Sequence, residues 1–89
     1  MTITEVNILP VKPKDGFFAY ASFVLDEQYY VGNIQVFTRL DKPGTIRLFY
    51  PQRKVGDSYM DVFHPLTKEA SQTIEEAVQE KCLELQLIS

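Results

Sequence analysis

Asp61-Val62-Phe63-His64-Pro65-Leu66 is where this sequence changes period. Before it, apolar residues recur at every second position, as along a half-buried strand. After it, Ala70, Ile74, Ala77, Val78, Cys82 and Leu85 follow at spacings of 4, 3, 1, 4 and 3. That spacing lays one apolar stripe along a helix. Pro65 stops extension, Thr67 offers an N-cap hydroxyl, and Glu69 in the first turn suits the positive end of the helix dipole. The pattern predicts a helix from about Lys68 to Leu87, roughly 30 Å long. Strands followed by one amphipathic helix define an α+β fold, with the helix packed on an antiparallel sheet of four to five strands.

The strands are read outward from there. Ile3 to Val11 is extended, and Pro10 removes a ladder donor, which either places this strand at an edge or ends it there. Pro13-Lys14-Asp15-Gly16 is a turn signal, with Asp-Gly favoured in tight hairpins. Phe17 to Leu25 is apolar on both faces and is expected to be central. Phe17, Ala19, Ala21, Phe23 and Leu25 share one face; Phe18, Tyr20, Ser22 and Val24 share the other. Tyr29 to Thr38 is a third strand with Tyr30, Ile34 and Val36 in phase, and Gly32 marks a bulge. Arg39 to Gly44 is a loop and Thr45 to Tyr50 a fourth strand. Pro51 to Ser58 is a polar loop, and Tyr59 to Phe63 a short fifth strand.

Eighty-nine residues, with 45% hydrophobic and 24% charged, make one domain spanning 1–89. A chain of this length buries about 60–65% of its unfolded surface, so its own core is thin. No apolar run approaches the roughly 20 residues of a membrane span, and the N-terminus lacks the features of a signal peptide. Cys82 is the single cysteine and has no internal disulfide partner. A cytoplasmic location is the expectation. The net charge of −3 is unevenly spread. Residues 1–64 balance seven basic groups against seven acidic ones. Beyond them, Lys68 and Lys81 face Glu69, Glu75, Glu76, Glu80 and Glu84. An acidic helix repels nucleic acid, so phosphate binding requires a local basic cluster.

The chemistry-bearing residues are few. Asp61 and His64 are candidates for an acid–base pair, but positions three apart in a strand point to opposite faces. His64 is therefore read as satisfying a backbone group at the sheet-to-helix corner. Cys82 lies on the apolar stripe and reads as core. One histidine and one cysteine do not make a zinc site. Gly16, Gly32, Gly44 and Gly56 stand alone, without a phosphate-binding glycine loop. No metal, cofactor or catalytic set is expected. The loop Pro51-Gln52-Arg53-Lys54-Val55-Gly56-Asp57 is the best binding candidate, because adjacent Arg and Lys on a loop can reach phosphates.

Taken in order, Leu25-Asp26, Ile34-Gln35-Val36, Pro51-Gln52-Arg53-Lys54, Asp61-Val62-Phe63-His64-Pro65-Leu66 and Ile74-Glu75-Glu76-Ala77-Val78 resemble the bacterial septation protein SpoVG family. The likeness runs from about Ile3 to Glu80. It implies a small α+β protein, dimerising through its sheet, that influences septation and sporulation and binds DNA and RNA to regulate expression. It implies nucleic-acid contacts at Arg53 and Lys54, with Lys68 as the one cation of the early helix. Three departures bear on DNA affinity. The loop between Lys54 and Asp61 is one residue shorter, Met60 stands where Arg often precedes the Asp, and the helix is strongly acidic. The rival expectation is a protein-interaction module using the acidic helix and an exposed sheet edge. A small enzyme built on Asp61 and His64 is the third.

Overall fold

The computed structural model describes residues 1–42 and 44–88. Four strands form one antiparallel sheet in sequence order: β1 (Ile3–Lys14), β2 (Phe17–Leu25), β3 (Tyr29–Thr38) and β4 (Ile46–Phe49). A separate two-stranded hairpin follows, β5 (Gln52–Val55) and β6 (Ser58–Asp61), and then one helix, α1 (Lys68–Glu84). The α+β architecture is the expected one. The stretch read as a polar loop is instead β5. Its residues are all exposed, so no alternation of apolar and polar positions betrayed a strand. Pro43, within the expected loop at Arg39–Gly44, lies outside the described residues.

Local chemistry explains the turns. Asp15 and Gly16 both take positive φ (52° and 90°) between the paired Lys14 and Phe17, as a type I′ hairpin requires. In the second hairpin Gly56 has φ 62° and Asp57 does not share it, with Val55 and Ser58 paired across the turn. That is the first-position pattern of a type II′ turn.

Bulges decide which side chains face the core. Phe17 opposes Phe37 but Ala19 opposes Val36, so β2 takes two steps against one on β3. Phe18 and Ala19 consequently both turn inward, at 7% and 0% exposed. Phe17 leaves the face it was expected to share with Ala19 and packs on the opposite side against Phe37, with ring centroids 5.3 Å apart. A second bulge lies between Val31 and Ile34, at the site expected from Gly32, although Asn33 is the residue with positive φ (57°). It moves Tyr30 out of phase with Ile34 and Val36, to the open side, at 75% exposed. β1 lies at the sheet edge, as Pro10 indicated.

The core is one layer between the sheet and α1. Ala19, Ala21 and Phe23 of β2, Ile34 and Val36 of β3, and Ile46 of β4 meet Ile74, Val78 and Cys82 of the helix. The Thr67 hydroxyl accepts from the Ala70 amide at 3.0 Å, so the predicted N-cap is in place. The helix ends at Glu84, short of the expected Leu87. Gln86 sits in the left-handed region at φ 61°, its amide donating to the Leu83 carbonyl at 3.0 Å. The Leu87 amide donates to the Cys82 carbonyl at 2.9 Å. This is a Schellman ending with glutamine where glycine is usual. Leu85, placed on the apolar stripe by its spacing, is 45% exposed because the helix has already stopped. Gln86→Gly removes the Cβ penalty of that conformation and is expected to stabilise the protein by about 1 kcal/mol. Urea unfolding checks this; a lower midpoint at unchanged slope would refute it.

Candidate nucleic-acid interface

The hairpin of β5 and β6 projects from the sheet, and every residue of both strands is exposed. Its pairing separates the two expected contact residues. Arg53 stands opposite Met60 on one face of the hairpin, and Lys54 stands opposite Tyr59 on the other. Side chains alternate along a strand, so neighbours in sequence cannot share a face. Lys68 occupies the first turn of α1, a different element, and is also exposed. The three cations thus form no common patch by secondary structure alone: the hairpin presents one on each side and the helix start carries the third.

The base of the hairpin is locked. Asp61 accepts from Gln52 Nε2 at 2.9 Å through Oδ1, and His64 Nδ1 lies 3.0 Å from its Oδ2. The Val62 amide donates to the Pro51 carbonyl at 2.9 Å, continuing the ladder. The strand rule that kept Asp61 and His64 apart does not apply, because β6 ends at Asp61 and the chain bends over Val62 and Phe63. His64 therefore contacts a side-chain carboxylate rather than the backbone group expected. Phe63 turns toward the core, its ring 6.3 Å from that of Phe23 and 5.7 Å from that of Tyr50. One aromatic side chain thus anchors the arm to the domain.

Asp61 and His64 border a cleft of about 1100 Å³ between the hairpin base and the open face of the sheet. Leu9, Tyr20, Gln35 and Phe49 supply the sheet side. Burial pushes the Tyr50 hydroxyl up to about 12, with the Glu75 carboxylate adding to the shift, so this phenol stays protonated throughout the neutral range. Cys82 is buried on the helix side of the sheet. Among the described residues, no cluster of His, Cys, Asp and Glu is placed to hold a metal ion, and no helix is long and apolar enough to cross a membrane.

Sequence reasoning missed a third basic group. The β1–β2 turn and the β3–β4 loop lie at the same end of the sheet, joined by the Thr38 amide donating to the Gly16 carbonyl at 2.9 Å. Lys12, Lys14, Arg39, Lys42 and Arg47 collect there against Asp15 and Asp41. Arg39 is paired with Asp41 through two contacts, at 2.8 and 3.2 Å. That pairing holds the Asp41 carboxyl below its usual range. Strand register could have disclosed this cluster, but the bulges hide the register from the sequence.

The domain is thus a sheet covered by a helix on one side and open on the other, with an exposed hairpin arm. The family model for SpoVG matches residues 1–83, and the chain belongs to the SpoVG family. Three relatives carry the name "Putative septation protein SpoVG". That of Archaeoglobus fulgidus is 35% identical over 77 residues, covering 85% of this chain and 87% of the relative. That of Finegoldia magna is 34% identical over 82 residues, covering 91% and 73%. That of Treponema denticola is 30% identical over 81 residues, covering 90% and 84%.

Proposed function

We propose that this protein is a non-enzymatic, cytoplasmic regulator that binds DNA or RNA, acting in septation- or sporulation-type gene expression as a homodimer paired through its sheet. Family membership supports the setting. The observation that carries the binding role is the projecting hairpin, which offers Arg53 and Lys54 to solvent on its two faces while its base is pinned by Gln52, Asp61 and His64. An arm with a cation on each side can enter between phosphates and contact two backbones. In a dimer two such arms project. The acidic residues of α1 lie on a different element from the arm, and Glu69, Glu76, Glu80 and Glu84 are exposed.

Fluorescence anisotropy with labelled duplex DNA and single-stranded RNA, at low and near-physiological salt, tests this. The double variant Arg53→Ala with Lys54→Ala is expected to lose about tenfold or more in affinity at low salt, with the salt slope reduced by about two in a dimer-independent count of one protomer's contacts. Unchanged binding by that variant would remove the hairpin from the site. The exposed acidic side of α1 favours a second reading, a module for protein partners. It gains if the wild-type protein binds neither probe at low salt yet captures a defined basic partner.

A further inference from the structure

We propose that Tyr59 is the specificity-determining residue of the hairpin arm: its ring stacks on an unpaired base while Lys54 beside it holds a phosphate of the same strand, so the arm selects single strands over duplex. This deepens the nucleic-acid reading above and rests on it.

The two faces of the arm carry different chemistry. Lys54 stands opposite Tyr59 and Gln52 opposite Asp61, and residues two apart along a strand share a face, so these side chains lie on one side. Arg53 opposite Met60 and Val55 opposite Ser58 make up the other. Directly opposed side chains in an antiparallel pair stand about 5 Å apart at Cβ. A phenol ring and an ammonium group at that separation can engage the base and the backbone of one strand together.

The Tyr59 ring is free to take a base. It is 66% exposed, on an arm whose every residue is exposed. Among the described residues it meets no other aromatic ring, and no cation lies over it. Phe49 on the sheet differs: Arg47 lies over its ring and Phe37 meets it edge-on. The anchoring of the arm falls to Phe63, packed near Phe23 and Tyr50, and does not call on Tyr59.

The charge of the arm also favours stacking. Residues 52–61 hold Arg53 and Lys54 against Asp57 and Asp61, so the arm as a whole is neutral. Asp61 is engaged at both oxygens, by Gln52 and His64, and Asp57 sits in the turn between the paired Val55 and Ser58. Duplex binding draws chiefly on net phosphate neutralisation, of which a neutral arm supplies little. Stacking of a base on a ring requires no net charge, and a duplex keeps its base faces inside. Lys54 then adds one phosphate contact at the stacked nucleotide, and Arg53 offers another on the far side of the arm.

Anisotropy of the full-length protein with a labelled oligouridylate of about 12 nucleotides and a DNA duplex of similar length decides the matter. Tyr59→Ala is expected to weaken oligouridylate binding by roughly 5- to 100-fold at unchanged salt slope, with duplex binding within about twofold of wild type. Tyr59→Phe, which keeps a ring, retains affinity; Tyr59→Leu, apolar but without a π-face, loses it as Tyr59→Ala does. Lys54→Gln weakens oligouridylate binding and lowers the salt slope by about one. If the wild-type protein binds neither probe, the nucleic-acid reading itself fails. If it binds the oligouridylate, and Tyr59→Ala or Tyr59→Leu binds it as tightly as wild type, only the stacking role is overturned. Equal losses on both probes in Tyr59→Ala would place the ring in the folding of the arm and likewise overturn it.

Discussion

Phe23→Ala is expected to leave a protein that barely folds. Phe23 lies at the centre of β2, fully buried, between the helix layer and the Phe63 anchor. Truncating a buried phenylalanine costs about 3–5 kcal/mol, the sum of lost transfer energy and the cavity left behind. A domain of this size has about 5–10 kcal/mol in total. Its core-facing neighbours along β2 are Ala21 and Ala19, which have little side chain with which to collapse into the gap. The expected fall in Tm is about 15–30 °C. Loss of the Phe63 contact also frees the segment that tethers the hairpin arm, so hydrogen exchange in β5 and β6 should quicken. Leu40→Ala, at a residue 96% exposed, is the control and is expected to stay within about 0.5 kcal/mol of wild type. Calorimetry checks both. A Phe23→Ala protein melting within a few degrees of wild type would mean that the core is not where the structure puts it.

Cys82 is expected to be almost unreactive while the protein is folded. It sits in α1 facing the sheet at 0% exposed, beside Ile74 and Val78 in the core layer. Burial pushes its thiol from 9.0 to about 11. The thiolate is the reactive species, so near pH 8 that shift alone lowers the reactive fraction about 100-fold, before exclusion of the reagent is counted. Labelling by a disulfide reagent should then proceed through opening of the fold, its rate following the open population as denaturant is added. Full modification of the native protein within seconds would contradict the burial. The same shift links stability to pH. Between pH 9 and 11 the unfolded chain has lost the thiol proton that the folded chain retains, so folding stability falls as pH rises through that interval. Tyr50, pushed up to about 12, adds a loss of the same sign at still higher pH. Cys82→Ala should flatten the Cys82 part of this alkaline decline, as measured by unfolding across the pH series.

The candidate binding residues were legible in part. Arg53 and Lys54 stand out as adjacent cations after a proline, and the structure exposes both. Their adjacency suggested one patch; the strand geometry of β5 separates them onto two faces. The Asp61–His64 contact was discounted by a rule for strands that holds only as far as β6 extends. The placement of Phe17 and Phe37 on the open face was the least visible feature. Phe17 and Phe37 are assigned to faces by counting, and a single inserted residue between Phe17 and Ala19 reverses the count.

What the sequence by itself determined was local. The central place of β2, the Asp-Gly turn, the Thr67 cap and the inward stripe of α1 as far as Cys82 depend on residue type and on spacings of a few positions, and each is found as read. The family could also be read there, from motifs that keep their order along the chain. Only the tertiary structure decided where the bulges fall, which rings leave the core for the open face, and which cations meet at the end of the sheet. Register is a property of pairs of strands. Its cost or gain arises when distant segments pack together, and no window along a single strand contains both partners.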